Sequence, residues 1–128
     1  MRVLLTFTGE LSALATLIFS PLILLLSSSV SVIKPIFSSD FSHVYHIYNI
    51  RTNQRDELKS YLLENGINTE VHYPVSPNNQ EGYQEYFAGS VYEISEEIHR
   101  TTLSLPISYA TKEEEVEIII EKINDFFN

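Results

Sequence analysis

His72 and Tyr73 end an alternating segment in the run Glu70-Val-His-Tyr-Pro-Val-Ser-Pro-Asn-Asn-Gln-Glu-Gly-Tyr83, where two prolines cut the pattern and a polar, aromatic loop opens. An imidazole and a phenol placed there can hydrogen-bond a hydroxyl or a phosphate and pack on the face of a sugar or base. The plainer alternative is that Tyr73 fills the core side of its strand and His72 is a solvated neighbour. Asn78, Asn79 and Gln80 add amides that suit polar groups of a substrate, although Asn79 is better read as an ordinary turn residue. Tyr83 closes the loop with a second phenol. Arg51 ends a predicted strand, where a guanidinium can grip a carboxylate or phosphate through two parallel bonds; a salt bridge to the acid-rich surface is its commoner use. His43 and His46 lie three apart on that strand and so point to opposite faces, which argues against one shared metal ion. His99, beside Arg100 on a predicted helix, reads as solvated. Glu113, Glu114, Glu115, Glu117 and Glu121 read as a solvated helix face rather than as paired catalytic acids. Neither a Gly-x-Ser-x-Gly elbow nor a Walker loop occurs.

The elements that must hold these residues follow from periodicity. Residues 43–51 are rich in Tyr, Ile and Val with apolar residues on both faces, which predicts a central strand. Asn53 is the expected N-cap of a helix over 54–65, with Leu58, Tyr61 and Leu62 at helical spacing, and Gly66 is the expected left-handed residue ending it. Ile67 to Tyr73 alternates, with Ile67, Thr69, Val71 and Tyr73 on one face and Asn68, Glu70 and His72 on the other. A strand reached through a helix is expected to run parallel to its predecessor. Residues 83–87 predict one helical turn broken at Ala88-Gly-Ser90, and 94–102 a short helix. Leu103-Ser-Leu-Pro106 predicts a short extended piece. Thr111-Lys-Glu-Glu114 reads as a capping box opening the strongest helix, whose stripe is Val116, Ile119, Ile120, Ile123 and Phe127. The sum is a small two-layer α+β domain over residues 34–128.

Composition narrows the function classes. The chain has 128 residues and no cysteine, which removes disulfides and thiolate metal sites together. A net charge of -9 with eight scattered Lys and Arg excludes a phosphate-binding nucleic-acid surface. From Leu11 to Ile33 nothing is charged, a length that spans a bilayer as a helix. Seven Ser or Thr residues, Pro21 and missing basic flanks weaken a membrane anchor. A signal peptide would have only Arg2 and the amino terminus as its basic start, and no Ala-x-Ala cleavage site follows the apolar run. Residues 17–33 use only Leu, Ile, Phe, Val, Ser and Pro, the set encoded with a pyrimidine at the middle codon position. A truncation or out-of-frame remnant over residues 1–33, with the intact part resuming near Val32, is the third expectation.

Several of these motifs together resemble the C-terminal part of the DegT/DnrJ/EryC1/StrS aminotransferases. The resemblance rests on Ile50-Arg51, Arg55-Asp56-Glu57-Leu58, Gly66, His72-Tyr73-Pro74, Gln80, Tyr83 and Leu103-Ser-Leu-Pro106 with the terminal helix after it. It implies the small C-terminal domain of a fold-type I, pyridoxal phosphate (PLP) dependent transferase of α/β class. It further implies that the parent moves an amino group, as from glutamate, to a nucleotide-linked keto-deoxysugar used in cell-surface polysaccharides or secondary metabolites. A dTDP-linked 3- or 4-keto-6-deoxyhexose is the expected substrate class, and the expected parent is a cytoplasmic homodimer. Because the family that the motifs resemble carries a large PLP-binding domain where residues 1–33 stand, the remnant is the favoured expectation for that segment. By the same resemblance His72, Tyr73, Gln80, Tyr83 and Arg51 are the expected substrate contacts. Many relatives carry a histidine where this chain has Asn78 or Asn79. A PLP transaminase needs a lysine to form its aldimine. None of Lys34, Lys59, Lys112 and Lys122 sits in the family's context for it, so no catalytic or cofactor-binding residue is expected in this chain, which should not transaminate alone. The rival reading is a non-enzymatic acidic α+β module anchored to a membrane by residues 11–33.

Overall fold

The computed structural model of the chain describes residues 32–35, 40, 46–108 and 110–128. The expectations for residues 1–31, both as remnant and as membrane anchor, lie outside them, as does His43. Strand β1 is Tyr48–Arg51 and helix α1 is Arg55–Glu64; after a loop with two 3-10 turns, Pro77–Asn79 and Glu81–Tyr83, come helix α2, Glu93–Thr101, strand β2, Thr102–Leu105, and helix α3, Glu113–Phe127.

β1 and β2 are antiparallel, with Tyr48 opposite Leu105 and Ile50 opposite Leu103. Single bridges extend the layer on both sides: Ile33 pairs with Arg51 at the free edge of β1, and Glu70 pairs with Ser104 at the free edge of β2. β1 is thus central, as expected. The segment around Glu70 runs parallel to β1, also as expected, but β2 lies between the two. Ile67 to Tyr73 makes that one bridge instead of a full strand. The alternation nevertheless survives as far as Val71: Ile67 and Thr69 are buried, Asn68 and Glu70 exposed. It fails at Tyr73, which is 65% exposed instead of filling the core side. The His72–Tyr73 peptide is cis, and Pro74 follows with no N–H for a ladder.

Strand periodicity sorts the sheet into two chemically different faces. Tyr48, Ile50, Leu103 and Leu105 point to the apolar side, where they join Leu58 and Leu62 of α1 and Val116, Ile119, Ile120 and Ile123 of α3 in one core. Two helices packed on one sheet face give the two-layer α+β domain. On the other face stand Asn49, Arg51, Thr102 and Ser104. Residue 49 is therefore polar where the sequence suggested an apolar second face, and Tyr48 and Ile50 alone carry β1 into the core.

The helix ends show how local competition shifts caps. α1 closes as expected: Gly66 has φ +78°, its N–H bonds Leu63 O at 3.0 Å and Ile67 N–H bonds Leu62 O at 2.8 Å. That is a Schellman closure, with buried Ile67 following the glycine. At the start of α1 the cap is Gln54, without a side-chain bond. Asn53 does not cap because its Oδ1 accepts from Arg100 Nη1 at 3.1 Å, while Thr52 Oγ1 takes the Gln54 N–H at 3.2 Å. The box expected at Thr111 and Glu114 sits one residue later: Lys112 N–H donates to Glu115 Oε2 at 2.8 Å. Only that half of a box forms, because a lysine ammonium has no lone pair to return. Thr111 Oγ1 instead accepts the Ser108 N–H at 2.9 Å.

Candidate functional site

The polar sheet face and the loop beside it form one continuous surface. On the sheet, Ser104 is 5% exposed. Its Oγ donates a short hydrogen bond to Asn49 Oδ1, and His72 Nδ1 lies 2.9 Å from the same Oγ. Asn49, Ser104 and His72 thus form a row across three neighbouring strand segments. It opens on a small cleft of about 200 Å³ that His46 and Glu70 also line. The His72 and Tyr73 rings meet edge to face, their centroids 5.6 Å apart.

α2 holds the loop against this face. His99 Nδ1–H donates to Tyr73 O at 2.6 Å; a carbonyl can only accept, so the ring proton sits on Nδ1. One helical turn earlier, Glu96 Oε1 accepts from Asn78 Nδ2 at 2.9 Å. Residues three apart share a helix face, so His99 and Glu96 grip the loop at its start and middle. His99 is therefore a structural donor rather than the solvated residue its sequence neighbours suggested. The same helix takes Arg51, whose Nε donates to Thr101 Oγ1 at 3.0 Å and whose Nη2 pairs with Glu97. This is the salt bridge that the acidic composition favoured.

Within the loop, Asn79 serves the turn, its amide donating to buried Ser76 Oγ at 3.0 Å. Gln80 Nε2 reaches Val75 O at 3.5 Å, and Tyr83 is 52% exposed with ring neighbours Tyr86 and Phe87. The expected contact residues thus fall into three groups. His72 and Tyr73 are adjacent on the sheet edge; Gln80 and Tyr83 bond within the loop; Arg51 bonds α2 through Glu97 and Thr101, two residues to either side of the His99 that holds Tyr73 O. Asn49, Ser104, Glu96 and His99 escaped the sequence reading. The alternation Thr102-Leu-Ser-Leu105 would have placed Ser104 on the polar face, but nothing local pairs it with Asn49 or His72.

Comparison with known proteins fixes the class first. The fold matches S. venezuelae DesV in complex with a ketimine intermediate, at a TM-score of 0.87 and 24% identity, covering 99% of this chain and 34% of that one. It also matches the Bacillus subtilis protein ntda with its cofactor PMP, at a TM-score of 0.72 and 22% identity, covering 94% of this chain and 27% of that one. The domain is the small α+β part of a PLP-dependent sugar aminotransferase fold. The chain belongs to the DegT/DnrJ/EryC1/StrS aminotransferase family, whose model matches residues 22–124. Among curated relatives, the dTDP-3-amino-3,6-dideoxy-alpha-D-galactopyranose transaminase of Aneurinibacillus thermoaerophilus is 39% identical over 92 residues, which are 72% of this chain and 25% of that protein. The chain spans about a quarter of that relative's length.

The family implies PLP in the intact protein, and two of the described lysines, Lys59 and Lys122, do not suit its aldimine. An aldimine lysine must lose its proton to react, which burial and the absence of nearby anions favour. Lys59 instead faces Glu70 at 3.9 Å. Lys122 is held protonated by Asp125 and then Glu121, which raise its pKa from the ordinary 10.5. No lysine lines the cleft beside His72 or the cavity beneath Arg51. Among the described residues no helix is long and apolar enough to cross a membrane, and no cluster of His, Asp and Glu could hold a metal ion.

Proposed function

We propose that this chain is the substrate-facing C-terminal portion of a PLP-dependent nucleotide-sugar aminotransferase, and that it does not transaminate by itself. The reaction of the whole enzyme is the transfer of an amino group from a donor such as glutamate to a nucleotide-linked keto-deoxysugar. A dTDP-linked 3- or 4-keto-6-deoxyhexose fits the transaminase activity that names the Aneurinibacillus relative. One observation carries the reading: His72 and Tyr73 stand together, the imidazole half-buried against Ser104 and the phenol 65% exposed, on a loop fastened from behind by α2. A fastened pair with a free phenol suits contact with a sugar, because a side chain already ordered loses little entropy on binding. In this reading Arg51 is chiefly a structural cation, while Gln80 and Tyr83 form the outer wall of the site. The whole enzyme acts as a cytoplasmic homodimer.

The test is a chimaera in which residues 34–128 replace the matching quarter of the Aneurinibacillus transaminase. It should aminate a dTDP-keto-hexose. His72→Ala and Tyr73→Phe should each raise KM roughly two- to tenfold, the equivalent of one hydrogen bond of about 0.5–1.5 kcal/mol. An active chimaera in which both variants leave KM and kcat unchanged would remove the substrate role of these residues.

A further inference from the structure

We propose that Asn49 and Ser104 are positioning residues that fix His72 in its Nδ1–H form and so present Nε2 outward as a hydrogen-bond acceptor. The argument is proton counting. A serine hydroxyl has one proton, and that of Ser104 goes to Asn49 Oδ1. Its oxygen is then left with lone pairs only, so the imidazole nitrogen 2.9 Å away must be the donor. Ser104 cannot drift away from this duty. Its backbone is tied to Glu70 in both directions, at 2.7 and 3.1 Å, and its side chain is buried. Neutral imidazole free in water ordinarily keeps its proton on Nε2, so the row across the sheet reverses the default tautomer. Second-neighbour bonds that select a histidine tautomer in this way set what the other nitrogen can do.

The consequence deepens the proposed function and rests on its reading of His72. With Nε2 as acceptor, neutral His72 selects a ligand group that donates, such as a sugar hydroxyl, over one that only accepts, such as a phosphate oxygen. The other titratable groups lining the cleft are His46 and Glu70. Glu70 already faces Lys59.

Long-range proton–nitrogen correlation NMR on the full chain, labelled with nitrogen-15 and held at a pH where the histidines are neutral, reads the tautomer directly. His72 is assigned by the signal missing in His72→Gln. The wild-type chain should show the Nδ1–H pattern for this ring. Ser104→Ala and Asn49→Ala should each lose it in favour of Nε2–H, and Ser104→Thr should retain it. Asn49 is only half-buried, so its variant keeps the test open if Ser104→Ala fails to fold. An Nε2–H pattern in the wild-type chain would overturn the proposal, since the Asn49 amide would then be donating and Ser104 would be donating to the ring. A tautomer indifferent to both alanine variants would overturn it too. The measurement uses no sugar: an Nδ1–H ring that responds to these variants upholds the inference even where the chimaera assigns His72 no part in binding.

Discussion

Replacing His99 by asparagine or by alanine separates its donor role from its bulk. An asparagine amide N–H can stand where Nδ1–H stands, so His99→Asn should keep the bond to Tyr73 O and His99→Ala should release it. Amide hydrogen exchange across 75–79 should accelerate roughly two- to tenfold in the alanine variant, the loss of one hydrogen bond of about 0.5–1.5 kcal/mol, and stay near wild type in the asparagine variant. Equal exchange in both would show that the bond does not hold the loop. Glu96→Gln should likewise be mild, since Oε1 survives to accept from Asn78, whereas Glu96→Ala should loosen the middle of the loop. At this scale the sequence singled out His72 and Tyr73 from their neighbours, and Asn79 as a turn residue, because proline placement and turn chemistry are local. His99, Glu96 and Ser104 were illegible: their partners lie 26, 18 and 55 positions away along the chain.

The helices follow patterns that the sequence displays, and their ends do not. Leu58 and Leu62, one turn apart, are both fully buried, and either one changed to alanine should cost about 2–5 kcal/mol in a denaturant titration. The stripe of α3 appears as expected from Val116 to Ile123, with Phe127 half-buried at the end. Its cap discriminates between two registers: Glu115→Ala should cost about 0.5–1 kcal/mol and Glu114→Ala almost nothing, the reverse of what the Thr111 register requires. Thermal melts of the two variants decide the matter. Lys122 adds a pH signature. Its pKa is raised on folding, chiefly by the bond to Asp125 and then by that to Glu121, so its contribution is fully present below the ordinary 10.5 and lost as pH climbs through the raised value. The difference in melting temperature between wild type and Lys122→Met should therefore be constant around neutrality and shrink only in strong alkali. Caps moved by one residue because Arg100 claimed Asn53 and Ser108 claimed Thr111, bonds invisible to periodicity.

As a whole molecule the chain presents the loop, and in the proposed reading the aldimine lysine comes from another part of the enzyme. Purified and mixed with PLP, it should form no lysine aldimine band and convert no keto-sugar; turnover by the isolated chain would contradict the proposed division of labour. It also displays large apolar side chains on one side: Val91 is 73% exposed and Ile94 76%, with Ile98 further along α2. Contiguous patches of this kind drive association. Ile94→Lys should leave the circular dichroism spectrum unchanged and lower self-association in sedimentation velocity. The sequence by itself determined the family resemblance, the α+β order, the core stripes of α1 and α3 and the place where the sheet edge opens into a loop. Each of these is written in spacing over a few residues. Tertiary structure alone decided that β2 inserts between β1 and the Glu70 segment, that α2 fastens the loop, and that Asn49, Ser104 and His72 share one row of hydrogen bonds. Those outcomes depend on which strand pairs with which. Pairing is settled by burying the apolar faces of all the elements at once, and no single stretch of sequence contains that sum.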